Sequence, residues 1–530
     1  MADQEAGLLS KEPAVASYGT APTAAPNPAA RTSYRADIDG LRCVAVIAVI
    51  IFHINAPSLP GGFLGVDIFY VISGFVVTGS LLGAPQRSSC DYFAHFYARR
   101  LKRLTPALCL FVAITAVLLP LFMGMVTEDV TMQEYYLSAQ LSTFGGANIF
   151  YATLPETYWT KTAGTRDQNP WLHCWSLGVE EQFYFVFPAF VLVLYYATVV
   201  GETSERESTS KVSALNVRGC SLSVMTIFAM LSWAASATGS VLALSSNAWA
   251  NYVFFLSPFR FWQLACGAIL FMWMHGDQLG SSTLLSSSWV APLMAWTTVA
   301  AYALGFTFDS GQSNAVVQLC WAVATTIATC FFIVAGAPIP PHGSRVSPPL
   351  LHTFCCLAPV RYIGKVSYQL YLWHWPTILF ARRLATVLET QPVATRVTLI
   401  ASFALCSGVG LPLFSYHIME WPIRSRWHPN PMVAIISMLA LIGGTCGWVQ
   451  VLRGPLGESL SQGSVHLVAL SHPTSMLSNA LSAAPFPPPA LPDPPSPPVG
   501  TPLMPPSPLT PPLPSPLNVE AACPEGANEA

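Results

Sequence analysis

The stretch 37-DIDGLRCVAVIAVIIFHIN-55 sets an arginine and a histidine at the two ends of one apolar run. Arg42 and His53 are eleven residues apart. At 100° per residue this brings them to within about 20° of the same helix face, roughly 16 Å apart along the axis. An imidazole carried this far into an apolar helix is costly and usually faces a cavity or a partner. The plainer alternative is a histidine at headgroup level, satisfied by water or a carbonyl.

Working outward, the whole chain has the same character. Of its 530 residues 52% are hydrophobic and only 9% are Asp, Glu, Lys or Arg, against about a quarter in an ordinary soluble domain. Mean hydropathy is +0.48. A soluble surface has no use for that balance, and a lipid-facing one does. A net charge of −2 gives no reason to expect nucleic acid as a partner. Most of the 13 cysteines lie inside apolar runs, no CxxC pair occurs, and Cys355-Cys356 is a lone vicinal pair, so neither a disulfide framework nor a metal site is expected.

Hydropathy predicts an all-α polytopic membrane protein with about ten core transmembrane helices and one further C-terminal span, about eleven in all. Their limits are 41–56, 62–82, 104–126, 177–199, 220–243, 258–274, 289–307, 315–335, 366–383, 394–418 and 433–452. The stretch 133–152 is apolar but broken by Gly145-Gly146, which reads as a re-entrant or interfacial segment. Residues 1–36 are rich in Ala, Pro and Ser and lack an apolar signal core, so a disordered cytosolic N-terminus is expected. The membrane domain runs 37–430 and the extra helix 431–453. Residues 454–530 form a proline-rich tail, with PFPPPALPDPPSPP suited to an extended solvated chain.

Basic residues orient the chain. Lys11, Arg31 and Arg35, then Arg87, Arg99, Arg100, Lys102 and Arg103, then Arg345, Arg361, Lys365, Arg424 and Arg426 fall on one side. The positive-inside rule puts the N-terminus in the cytosol and the C-terminus on the extracytosolic or luminal side. Arg382 and Arg383 oppose this but are outnumbered. No internal repeat is visible.

Further blocks carry chemistry. In 60-PGGFLGVDIFYVISGF-75, Asp67 lies near His53 in depth and could fix its tautomer, while the glycines suit close helix approach. In 96-FYARRLKRLTPAL-108, Arg99, Arg100 and Arg103 can grip phosphate, or simply obey the topology rule. In 169-NPWLHCWSLGVEEQFY-184, Glu180 and Glu181 stand one turn inside a helix, and Trp175 and Tyr184 are suited to stacking on a sugar or to anchoring at the interface. In 367-SYQLYLWHWP-376, His374 lies mid-span beside Trp373 as a second candidate for a cavity wall.

Taken in order, these blocks, with 260-RFWQLACG-267 and 415-SYHIMEWPIR-424, resemble acyltransferase family 3, the polytopic O-acyltransferases of sugars and cell-surface polymers. The resemblance runs from about Arg35 to Arg426. It implies acyl-CoA, usually acetyl-CoA, as a cytosolic co-substrate with no permanently bound cofactor, and an acceptor hydroxyl on a glycan or lipid-linked sugar across the bilayer. It implies that Arg42 and His53 are the central pair and that Arg99, Arg100 and Arg103 form the basic cytosolic motif. His53 is then expected to act as a general base or to carry the acyl group, with Asp67 or Glu180 and Glu181 orienting it or binding the acceptor. The chain departs from the family at Gln263, usually Glu, at Cys174 and Gly178, and in having no hydrolase-like nucleophile block after residue 453. A separate extracytosolic protein would supply that step. A proton-coupled transporter and a non-catalytic relative that keeps the fold are the competing readings.

Overall fold

The computed structural model describes residues 34–82, 88–123, 129–155, 157–158, 168–204, 210–276, 289–308, 314–336 and 349–454. The expected disorder before residue 34, the proline-rich tail beyond Gly454, and Arg87 and Arg345 lie outside these residues. Among the described residues every regular element is helical. The helices are α1 (Ala36–Ile54), α2 (Gly65–Leu82), α3 (Ser89–Met123), α4 (Asp129–Thr143), α5 (Ala147–Ala152), α6 (Cys174–Ser204), α7 (Ser210–Leu242) and α8 (Asn247–Phe255). They continue as α9 (Phe261–Gly276), α10 (Val290–Thr307), α11 (Ala315–Ala335), α12 (Leu350–Cys355), α13 (Ala358–Lys365) and α14 (Ser367–Val387). The last are α15 (Val393–Ser425), which passes through two π-helical stretches, and α16 (Pro431–Arg453).

All of the expected spans are present as helices, and the chain is an all-α, multi-pass membrane protein. Eight described helices are long and apolar enough to cross a bilayer: α2, α3, α6, α7, α10, α11, α15 and α16. The other three expected spans fall short for identifiable reasons. α9 is apolar but short. α1 carries Asp37, Asp39, Arg42 and His53, and α14 carries His374, Arg382 and Arg383. Such helices are tolerated at membrane depth when protein rather than lipid surrounds them. α1 meets this on its inner face, where Val46 and Val49 join one buried cluster and Ile38, Leu41 and Ala45 join another, while Ile47 and Ile51 stay exposed. α15 is the opposite case, exposing its apolar side chains along most of its length.

Local chemistry sets several boundaries. Asn314 and Asn430 cap α11 and α16, their side chains accepting from the N–H groups of Val317 and Met432. The break expected at Gly145-Gly146 separates α4 from α5, with Gly145 at φ +69°. α16 lies against α3 and α4, and Gln140 donates from Nε2 to the Cys446 carbonyl at 3.2 Å and to Gln450 at 3.0 Å.

Without a hydrophobic drive inside lipid, helix contact depends on close packing of small residues. α2 and α9 show this reciprocally. A Cβ at Gly74 would lie 1.8 Å from the Leu264 carbonyl oxygen, and one at Gly267 would lie 2.1 Å from that of Val71. Glycines 62 and 65 likewise seat on the Ala48 and Ala45 carbonyls of α1. Gly74→Ala should therefore destabilise the detergent-solubilised protein by about 1–3 kcal/mol. Gly443→Ala, with nothing within 4 Å of the added carbon and a helix interior that favours Ala over Gly, should not lower its melting temperature.

Candidate active site

α1 and α14 bring two imidazoles together. His374 Nε2 lies 3.1 Å from His53 Nδ1, and His53 Nε2 lies 3.2 Å from the Tyr158 hydroxyl. His374 Nδ1 meets the Tyr371 carbonyl at 2.6 Å. A third imidazole, His173, stands just before α6, its ring centroid 5.2 Å from that of His374. Its position follows from the sequence of α14. Pro376 has no N–H, so the Leu372 carbonyl four residues earlier loses its helical donor. His173 Nε2 fills the gap, donating to Leu372 O at 3.0 Å. Trp375 Nε1 fixes the same segment by donating to the Asn169 carbonyl at 2.8 Å.

α14 also holds the backbone of α1. One Arg382 Nη donates to the His53 and Ile54 carbonyls at 2.8 and 3.0 Å, satisfying oxygens that the end of a helix leaves free. The outlier of the charge count thus has a structural task.

His53 and Tyr158 line a small cavity with Val66, Asp67, His173, Trp175, Arg260 and Tyr371. Asp67 faces it but does not orient His53. Its carboxylate accepts from Gln263 Nε2 and forms an ion pair with Arg260 at 3.3 Å. Arg260 also donates to the Phe254 carbonyl at 3.1 Å and lies over the faces of Phe254 and Trp175. An amide at position 263 can donate to Asp67, whereas a second carboxylate there would need a shared proton.

A second cavity lies toward the other end of α1. It is lined by Arg42, Arg100 and Arg103 together with Ser73, Glu180 and Tyr184. Arg42 is tied to Asp39 at 3.0 Å, and the Tyr34 hydroxyl donates to the other Asp39 oxygen at 2.5 Å. Partial burial and the Asp39 carboxylate push that hydroxyl up to about 12, so it stays a donor across the physiological range. Arg100 stacks 4.6 Å from the Tyr184 ring centroid. Neither Arg100 nor Arg103 is in a salt bridge among the described residues, and Arg103 Nε is buried without a hydrogen-bond partner. The two cavities share Val66 and Tyr371 as walls. The Tyr371 hydroxyl is held by Ser176 at 2.6 Å and the His173 carbonyl at 3.1 Å.

This divides the residues singled out from the sequence. His53, His374, Asp67 and Trp175 gather at one end, with His374 reaching His53 itself. Arg42, Arg100, Arg103, Glu180 and Tyr184 gather at the other. Glu180 does not reach His53. It is seven residues past His173, about 10 Å further along, and accepts from Ser73 and Tyr184, each at 2.9 Å. Glu181 turns away from both cavities, its Oε2 lying where a side chain on Gly145 would stand. Arg99 is exposed and lines neither cavity. Trp373 packs edge-on against Phe111, 5.4 Å between centroids. His173, Tyr371 and Arg260 were present in the quoted blocks but not singled out, and Tyr158 carries no local signal.

A family model described as an acyltransferase domain matches residues 35–416. Among curated proteins, the chain is similar to the O-acetyltransferase OatA of Staphylococcus aureus (strain NCTC 8325 / PS 47), 29% identical over 400 residues, which is 74% of this chain and 58% of the relative. It is also similar to the peptidoglycan O-acetyltransferase OatA of Listeria monocytogenes, 26% identical over 405 residues, 75% of this chain and 57% of the relative. The match thus spans less than two thirds of either relative's length. No solved structure matches the chain.

The ion pair between Asp67 and Arg260 gives a stability prediction. Asp67→Ala leaves a guanidinium without its carboxylate in a site only 14% exposed, and should cost about 3–5 kcal/mol. Adding Arg260→Met should recover part of that loss in a double-mutant cycle of thermal unfolding.

Proposed function

The chain belongs to the acyltransferase family whose domain it matches over residues 35–416, and from that premise we propose that it is a membrane O-acyltransferase. The donor in this proposal is acyl-CoA, with acetyl as the group transferred. The acceptor is a hydroxyl of a glycan or lipid-linked sugar presented from the opposite side of the bilayer. The observation that carries the reading is the pair of cavities that meet at Val66 and Tyr371, one lined by three arginines and the other by His53.

The donor's anionic end suits Arg42, Arg100 and Arg103, since guanidinium groups bind phosphate oxygens with paired hydrogen bonds. The buried Arg103 Nε without a partner is a donor still to be satisfied. Pantetheine is long and uncharged enough to carry the thioester past Val66 and Tyr371 to His53. There His53 takes the proton from the acceptor hydroxyl as the oxygen bonds to the acyl carbon. The carbon–sulfur bond then breaks, and the leaving thiolate takes the proton from the imidazolium. Arg260, held in place by Asp67, supplies positive charge for the oxygen that becomes negative along the way. The N-terminus and the arginine cavity face the cytosol in this scheme, and the C-terminus faces the far side.

Two outcomes test it in proteoliposomes supplied with labelled acetyl-CoA and a saccharide acceptor. His53→Ala should lower acyl transfer by about 10²–10⁴-fold. Arg103→Ala should raise the apparent KM for acetyl-CoA about tenfold or more with a smaller effect at saturating donor. Equal transfer by wild type and His53→Ala would sink the assignment of the base.

A further inference from the structure

We propose that His374 is a positioning residue that fixes the tautomer of His53, so that the basic lone pair sits on Nε2 and faces the cavity. This rests on the reading of His53 as the base and adds which nitrogen acts and what holds it.

The assignment starts at the end of the chain of hydrogen bonds. The Tyr371 carbonyl, 2.6 Å from His374 Nδ1, can only accept. That nitrogen must therefore carry a proton, and in the neutral ring Nε2 carries the lone pair. His53 Nδ1 lies 3.1 Å from this lone pair. If His53 Nδ1 were also unprotonated, two lone pairs would face each other at 3.1 Å, too close for a water to lie between them. So His53 carries its proton on Nδ1 and donates it to His374, with the Val49 carbonyl one turn earlier as a further backbone partner of the ring. Its Nε2 is left as an acceptor, 3.2 Å from the Tyr158 hydroxyl, which donates to it. In the resting protein Tyr158 thus marks the direction from which an acceptor hydroxyl would approach.

Among the described residues no carboxylate does this work. Asp67 is engaged by Arg260 and Gln263, and Glu180 by Ser73 and Tyr184. A neutral imidazole in the orienting position has a distinct consequence. When His53 becomes an imidazolium, His374 Nε2 still accepts from Nδ1 and can share the added charge between two rings. α14 is built to hold His374 still. Pro376 leaves the Leu372 carbonyl to His173, Trp375 is tied to Asn169, and Arg382 fixes the backbone of His53 itself.

The test compares His374→Gln with His374→Leu in the full-length protein. Gln offers an acceptor oxygen near the place of Nε2, while Leu fills space without one. The Leu variant should lose about 10²–10⁴-fold in kcat and Gln should recover at least about tenfold of it. The KM for acetyl-CoA should stay within about twofold in both. A Leu variant within about threefold of wild type would overturn the proposal, as would Gln and Leu variants equally impaired at unchanged melting temperature. Solid-state 15N NMR of histidine-labelled wild type gives a readout that needs neither folding of a variant nor turnover. It should show a protonated Nδ1 and an unprotonated Nε2 on the ring whose signals vanish in His53→Gln, and the reverse pattern would refute the assignment. Activity surviving in His53→Ala would instead remove the base reading on which this rests.

Discussion

A histidine in a membrane helix is costly unless the protein supplies partners for both ring nitrogens. His53 meets this constraint with His374 on one side and Tyr158 on the other. Much of the surrounding architecture follows from it. α1 has to turn its polar face to protein, and two buried clusters share it. α14 has to present His374 at a fixed height, and its proline does so by leaving a carbonyl that a third histidine takes. Glycines on α2 and its preceding turn let that helix close against α1. A polar centre of this kind is costly to build in an apolar fold, which is why polar groups in membrane helices point to function.

The sequence made the helices and the polarity of α1 readable, and physical chemistry explains where its reach ended. Apolar runs of bilayer length stand out in any hydropathy profile, and an arginine and a histidine eleven residues apart on one helix are visible without any structure. What periodicity along one helix cannot give is the partner on another. Asp67 and His53 are matched in depth, yet Asp67 pairs with Arg260, more than 190 residues away in the chain. The block 169-NPWLHCWSLGVEEQFY-184 looked like one constellation, but a helix rises about 1.5 Å per residue. Trp175 therefore lines the His53 cavity while Glu180 and Tyr184 belong to the arginine cavity. His374 was legible as an intramembrane imidazole. Its contact with His53, across 321 positions of sequence, was not. Tyr158 lies in a loop without periodicity, so nothing local marks it.

The two ends of α1 suit two different jobs, which fits transfer of a group between compartments. One end offers fixed positive charge, with Arg100 held over an aromatic ring and Arg42 clamped through Asp39 by Tyr34. The other offers an imidazole held between His374 and Tyr158, the base of the proposed reaction. Val66 and Tyr371 form the shared wall through which the acyl group would have to reach the base. The matched acyltransferase domain covers both ends, and the relatives extend beyond the region of similarity.

The proposed reaction takes donor and acceptor from opposite faces of the membrane. Proteoliposomes of uniform orientation, with the arginine-cavity face outward, test it directly. Labelled acetyl-CoA is added outside, and a saccharide acceptor is either sealed inside or added outside with the donor. Acetylated saccharide should form when the acceptor is inside and almost none when both are outside. Equal or greater transfer with both substrates on the outer face would contradict it.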